Sequence, residues 1–387
     1  MILKMIFAIL LAFFVTLIGH YYLYMRLIYT LFGNNNFWVT IFFVLWAITF
    51  FGFLILRIIP QFLRKMFETI MFFWMGSAFI FIIVCLMTSP LNLLFKQIQF
   101  GEIYLCYFVF IVGSFLSIYS VYLALKTPKV IETKIKITKA LPQELNTLKI
   151  VVLSDIHVSG LIGKRRMQKI QQIVNSLHAD IILITGDLMD GSLKQLKKEI
   201  EPLRQLKSKS HVFYITGNHE YYSGSQNWKQ HFSKNFFWKV LSNDSHSVKI
   251  NNLCINILGI EDRTWLNYKK IPRKLDQRIH SAVTHLKNSG TETQKALNIL
   301  LAHQPKDAKN LHQFPLIDLQ VSGHTHGGQI WPLEYIVKKD QKFVKGLYQI
   351  NEHQQLYVNQ GTGFWGPPMR LGTTCEISLL TFQGMLG

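Results

Sequence analysis

Ile150-Val-Val-Leu-Ser-Asp-Ile-His157 is an apolar, strand-forming run that ends on two metal-binding side chains, Asp155 and His157. Two further stretches repeat the arrangement, Ile181-Ile-Leu-Ile-Thr-Gly-Asp187 and Val212-Phe-Tyr-Ile-Thr-Gly-Asn-His-Glu220. Short apolar runs bounded by such turns read as buried strands. Their starts lie 31 residues apart, the span of one strand–helix–strand crossover unit. Between the first two, Met167, Ile170, Val174 and Leu177 share one helical face, and residues 193–206 carry a second helical pattern. This succession predicts parallel strands joined by crossover helices. In open α/β sheets the reactive groups collect at the carboxyl ends of strands, which puts Asp155, His157, Asp187, Asn218 and His219 on one edge. Gly186 and Gly217 permit the tight turns that bring backbone close to an ion.

Farther along, shorter strand-like segments cover residues 247–250, 253–259, 299–302, 319–322, 355–359 and 376–381, and predict a sheet that becomes mixed with a second sheet packed on it. Two of them also end on histidines, in Ala302-His303 and Gly323-His-Thr-His326. Asp155, Asp187, Asn218, His157, His303, His324 and His326 could enclose two divalent ions sharing one carboxylate. Imidazole mixed with carboxylate oxygen suits Mn, Fe or Zn. Two such ions in one cleft are a device for attacking phosphate esters. Taken singly, each Asp or Asn reads as a helix or turn cap; the accompanying histidines turn the balance toward a site.

The ordered set D-x-H, G-D, G-N-H-E, A-H and G-H-T-H resembles the calcineurin-like metallophosphoesterase superfamily, over residues 146–384. The tail Gly361-Thr-Gly-Phe-Trp-Gly-Pro-Pro-Met-Arg-Leu-Gly372 is similar to that of its membrane-anchored bacterial branch. The resemblance implies an α/β domain of two mixed sheets packed as a sandwich and flanked by helices. It implies Asp155, His157 and His326 on a first metal, Asn218, His303 and His324 on a second, and Asp187 bridging both. His219 takes the place of the acid beside the leaving-group oxygen. The ions implied are Mn, Fe or Zn, with manganese preferred, and a water-derived hydroxide between them cleaves a phosphoester or pyrophosphate bond. Glu220 stands where the family often has Asp. Arg370 and Trp365 fall in the C-terminal loop that could line a substrate entrance, although packing is the expected role of Trp365. Lys164, Arg165 and Arg166 begin a helix near the first block and read equally as a solvated helix end.

The first third of the chain is different material. Residues 5–25, 37–56, 67–87 and 104–125 are apolar stretches of about twenty residues, the length a helix needs to cross hydrocarbon. They are apolar all round, which a soluble helix is not. The domains expected are four transmembrane helices in 1–126, a connector in 127–147 containing one strand, and the metallophosphoesterase domain in 148–387. No small-x-small cleavage pattern follows the first stretch, so it is expected to remain as an anchor. With the N-terminus inside, Lys4, Arg57, Arg64, Lys65, Lys126, Lys129, Lys134 and Lys136 all face the cytoplasm, and only Arg26 and Lys96 lie outside. The expectation is a multi-pass protein of the inner (cytoplasmic) membrane with its soluble domain in the cytoplasm. None of the stretches carries a mid-span acid or Lys, which argues against a transport pathway.

Seven of the 41 Lys/Arg and two of the 22 Asp/Glu fall in residues 1–126, leaving 34 basic and 20 acidic residues in the remainder. A tethered basic domain has the bilayer, rather than nucleic acid, as its expected partner. The four cysteines, Cys85, Cys106, Cys254 and Cys375, form no disulfide framework. Specificity is expected in the loops 221–239 and 261–294. The first carries Tyr221, Tyr222, Trp228, Phe232, Phe236, Phe237 and Trp238; core packing is expected for several, and an amphiphilic substrate would suit the rest. The expected substrate is a phosphorylated, lipid-linked small molecule. Two alternatives stay open on sequence: a phosphodiesterase acting on nucleotides or nucleic acid, and a membrane sensor or scaffold whose metal site does no chemistry.

Overall fold

The computed structural model describes residues 2–272 and 276–385. The chain divides into two units: four long helices together with Gly366–Leu371, and a second unit of Lys126–Trp365 with the chain from Gly372 onward.

In the helical unit, α1 (Ile2–Leu23) runs on through a π-helical turn, Tyr24–Tyr29, and is followed by α2 (Asn36–Ile58), α3 (Gln61–Phe95) and α4 (Gly101–Leu125). All four helices are long and apolar enough to cross a membrane. Asn35 starts α2 by accepting the Phe37 amide at 2.9 Å. Ile18, Phe43, Ile111, Phe115 and Ile118 stand exposed on the outer surface, where lipid is the solvent such side chains require. Several polar groups turn inward, Ser77, Thr88, Ser117 and Ser120 among them. His20 is buried, with Nδ1 on the Thr16 carbonyl at 2.9 Å and Nε2 accepting from Trp74 Nε1 at 3.0 Å.

In the second unit the order is β1 (Lys129–Ala140), β2 (Lys149–Leu153), α5 (Lys164–Ser176), β3 (Ile181–Ile184), α6 (Leu193–Ile200), β4 (Val212–Tyr214), α7 (Asn218–Ser223), α8 (Ser225–His231), β5 (Lys239–Val240), β6 (Asp244–Ile250) and β7 (Leu253–Gly259). There follow α9 (Thr264–Tyr268), α10 (Arg278–Asn288), β8 (Ala296–Leu301), β9 (Leu319–Ser322), α11 (Leu333–Gln341), β10 (Gly346–Gln349), β11 (Gln355–Val358) and β12 (Glu376–Met385). One sheet has the order β1-β12-β2-β3-β4-β5 and the other β10-β11-β9-β8-β7-β6. Strands β2 to β5 are parallel, as are β7, β8, β9 and β11; β12 runs antiparallel to β2, and β6 and β10 close the second sheet as antiparallel edges.

Alternation along the strands builds the sandwich. Ile150, Val152, Ile181, Leu183 and Phe213 from one sheet meet Ile255, Ile257, Leu297, Ile299 and Val321 from the other in a single buried core. The outer faces are covered by helices. Met167, Ile170 and Val174 of α5 are fully buried, each worth about 1.5–3 kcal/mol. The helical pattern read over 193–206 breaks at residue 200, because Pro202 has no amide to continue the ladder, and a 3-10 turn covers Glu201–Gln205.

Registry sets the site. Leu153 pairs with Ile184, and Ile184 with Tyr214, so the blocks that follow these strands emerge side by side. In the second sheet Leu301 pairs with Val321, which brings the segments carrying His303 and His324 out together.

Candidate metal centre

Asp155, His157 and His326 place ligand atoms within 4.8 Å of one another, and so do Asp187, His303 and His324. His157 Nε2 lies 3.0 Å from His326 Nε2, and His324 Nδ1 lies 3.2 Å from His303 Nε2. About 3 Å is the separation of two nitrogens set at right angles around an ion roughly 2.1 Å from each. Asp187 lies between the groups, with Oδ2 at 3.1 Å from His303 Nε2 and 3.9 Å from His157 Nε2. Asn218 Oδ1 is buried and has no hydrogen-bond partner among the described residues. A buried amide oxygen without a donor costs free energy unless a cation completes it. This donor set fits two divalent ions.

The backbone is held in an uncommon conformation to achieve this. Asp155, His157, Asp187, His324 and His326 all have positive φ, between 49° and 69°. Only a few per cent of non-glycine residues do so, and concentration at one locus marks strain kept for function. Close approach is equally demanding: a Cβ on Gly217 would sit 2.2 Å from Asp187 Oδ1, and one on Gly323 2.2 Å from Asp155 Oδ2.

Neighbouring groups fix the tautomers. Asp190 Oδ1 accepts from His157 Nδ1 at 2.8 Å and from His219 Nδ1 at 2.7 Å. His303 Nδ1 donates to the Thr185 carbonyl at 2.7 Å. Each bond leaves the Nε2 lone pair of His157 and His303 facing into the cluster. Asp155 accepts the His324 amide at 2.8 Å. Glu220 is fully buried and accepts four backbone amides, Leu188 at 2.6 Å, Gly217 at 2.7 Å, Asp187 at 3.1 Å and Met189 at 3.3 Å. It ties the start of α7 to the turn that carries Asp187.

The charges are arranged around His219. Burial works against its protonation, but the Asp190 and Asp187 carboxylates outweigh burial and hold its pKa up at about 9. Burial likewise opposes the Asp190 carboxylate, yet His157 and His219 bring it down to about 2. His324 is pushed down by burial and by the neighbouring His303. Two exposed rings flank the His219 imidazole, Tyr222 at 5.5 Å and Trp365 at 5.8 Å between centroids. Gln329 clamps the Trp365 backbone, its Oε1 accepting the amide at 2.9 Å and its Nε2 donating to the carbonyl at 2.7 Å.

All eight residues singled out on sequence therefore converge. Asp190 was not among them, although it stands three residues after Asp187 in Asp187-Leu-Met-Asp190. Lys164 and Arg165 are exposed at the start of α5, where Glu199 accepts the Lys164 amide at 2.6 Å. Arg370 is fully buried in the helical unit, its amide donating to the Ser120 carbonyl at 2.9 Å. Of the aromatic loop, Trp228, Phe232, Phe236 and Trp238 are buried core, whereas Tyr222 and Phe237 are exposed.

Residues 148–328 match the calcineurin-like phosphoesterase family. A zebrafish (Danio rerio) "transmembrane protein with metallophosphoesterase domain" is 35% identical over 285 residues, 70% of this chain and 61% of the relative. The match thus spans about three fifths of that relative's length. An uncharacterized metallophosphoesterase of Campylobacter jejuni is 36% identical over 274 residues, covering 71% of this chain and 68% of the relative. One from Aquifex aeolicus is 30% identical over 250 residues, 64% of this chain and 89% of the relative. With its strand-end blocks gathered as the geometry requires, the chain belongs to the calcineurin-like metallophosphoesterase family.

Proposed function

We propose that the protein is a membrane-anchored phosphohydrolase working with two divalent metal ions, with manganese preferred. Asp155, His157 and His326 would hold one ion and Asn218, His303 and His324 the other, with Asp187 shared. The observation that carries this reading is the orphaned Asn218 Oδ1 beside two clusters of facing imidazole and carboxylate donors. Bound there, the ions would supply positive charge to the phosphate oxygens and water activated near neutral pH.

The chain's own residues supply the rest. Asp190 holds His219 by Nδ1, which leaves Nε2–H as the proton to give. As water adds to phosphorus and the P–O bond to the leaving group breaks, the departing oxygen takes this proton. The Asp190 carboxylate, bonded to Nδ1, favours the charged imidazole for that purpose. Half-buried His219 is partly screened from solvent by Tyr222 and Trp365, which stay 70% and 52% exposed themselves. Exposed rings at this position, in a chain with four membrane-type helices, favour an amphiphilic, lipid-linked phosphate as substrate. The asymmetry of Lys and Arg between the helices favours a cytoplasmic catalytic domain in the inner membrane.

The test is hydrolysis of bis-p-nitrophenyl phosphate by the full chain in detergent, with manganese added and then chelated, beside Asp187→Asn. The expected result is metal-dependent turnover that falls at least about a thousandfold in the variant, which loses the group shared by both ions. Turnover that survives chelation, or an unimpaired variant, overturns the reading.

A further inference from the structure

A cavity of about 200 Å³ is lined by Asn218 and His324 of the candidate metal centre together with Arg263, Asn267 and Lys306. We infer that this cavity is a subsite for a second phosphoryl group, so that the preferred substrate is a diphosphate rather than a monophosphate.

The wall chemistry is that of an anion site. Arg263 and Lys306 bring cationic groups to it, and Asn267 brings an amide. Gln304, also in the wall, is occupied, its Nε2 donating to Asp262 Oδ2 at 2.7 Å. Both cations have carboxylate partners, but neither is used up. Arg263 spends Nη2 on Asp307 at 2.6 Å, one of several N–H groups on its guanidinium. Asp307 lies almost wholly buried and is shared with Arg278 at 2.9 Å, so its charge is divided between two guanidinium groups. Lys306 reaches Asp340 only at 3.2 Å, and that carboxylate is 67% exposed, which makes the pair weak and easily exchanged. A planar guanidinium beside an ammonium matches the oxygens of a phosphoryl group.

Position supplies the second half of the argument. Asn218 and His324 belong both to the cavity wall and to the proposed second metal position. A group seated against Arg263 and Lys306 is thus a neighbour of the phosphorus under attack. A phosphoryl group joined to it through one bridging oxygen would be such a neighbour. Water adds to the attacked phosphorus, the bridging P–O bond breaks, and the second phosphate leaves carrying the bridging oxygen with the proton from His219. The cations would then bind charge that grows on the leaving group as the bond breaks.

This inference rests on the phosphohydrolase reading and is tested so that the two can fail separately. The full chain in detergent, loaded with manganese, is given dodecyl diphosphate and dodecyl monophosphate. The diphosphate is expected to be favoured at least tenfold in kcat/KM. Lys306→Gln and Arg263→Gln should each reduce that preference at least fivefold, chiefly through KM, and leave monophosphate turnover unchanged. Lys306→Gln is the safer variant, because Arg263 also anchors buried Asp307. ADP in place of the dodecyl compound separates a nucleotide source of the diphosphate from a lipid one; loss of ADP turnover in the same variants supports the subsite either way. Equal losses on mono- and diphosphate, or no change on either, overturn the subsite while leaving the hydrolase intact. Calorimetric titration with methylenediphosphonate against methylphosphonate reads the cavity without turnover. Tighter binding of the former, lost in Lys306→Gln, is expected, and equal binding of both refutes the inference even for a protein that hydrolyses nothing.

Discussion

The two halves of the candidate metal centre are built alike in their donor residues and differently behind them. In the half with Asp155, His157 and His326, the supporting group for His157 is a carboxylate, Asp190, which also holds His219. In the half with His303 and His324, the supporting group for His303 is a backbone carbonyl, that of Thr185. A carbonyl fixes the ring and brings no charge. A carboxylate fixes it and adds negative charge, raising the basicity of the ligand nitrogen and the affinity for a cation. Behind His157 the first half is thus tied through Asp190 to His219, the proposed proton donor, whereas a neutral carbonyl stands behind His303. Under the proposed function, the difference would put proton donation on one side of the site and positioning on the other.

The strongest way to test that division is to remove the donor and keep both ions. His219→Ala takes away the proton and no proposed metal ligand, so turnover should fall about 10²–10⁴-fold while two metals per chain remain bound. Steady-state kinetics beside metal analysis of the purified variant reads both quantities. The loss should shrink for substrates with good leaving groups, such as p-nitrophenyl esters, which need little help from an acid. Loss of a metal together with activity would place His219 among the ligands, a role its position within reach of His157 and Asp187 also allows, and would break the comparison.

A smaller effect sharpens it. Asp190→Asn retains a side-chain oxygen near His157 and His219 but removes the charge. The expectation is roughly a 10–100-fold weakening of metal binding, confined to one of the two ions. Competition with a chelator, followed as two separate release steps, measures it. Equal weakening of both ions would mean that Asp190 acts through the overall field and not through His157.

How much of this was legible in the sequence depends on distance along the chain. The seven proposed ligands were readable because each sits in a contiguous block at the end of an apolar strand, and parallel registry such as Leu153 with Ile184 does the gathering. Burial of several rings in the aromatic loop was expected too, and Trp228, Phe232, Phe236 and Trp238 supply it, although nothing local told them from exposed Tyr222 and Phe237. Asp190 was not. By itself it is a lone acid before a glycine, and nothing local pairs it with an imidazole 33 residues away. The cavity was hidden for the same reason. Arg263 follows β7 by four residues and Lys306 follows β8 by five, and only the pairing of Gly259 with Leu301 makes them neighbours. Strands β5 and β10 escaped because they are two and four residues long and only partly buried, so they carry no continuous apolar run.

Trp365 gives the smallest and most discriminating effect. Packing was its expected role, yet it stands 52% exposed, edge-on to His219, with Gln329 fixing its backbone from both sides. A ring left so open on a backbone fixed at both ends gains little burial, an arrangement that makes sense when a ligand completes the contact. Trp365→Ala should therefore change little with a small soluble ester. With a dodecyl phosphate it should raise KM roughly fivefold, the value of about 1 kcal/mol of ring contact. The same KM change on both substrates would mean that the ring only steadies His219. In that case the carboxylate-backed half of the site would owe its donor's orientation to Trp365 as well as to Asp190.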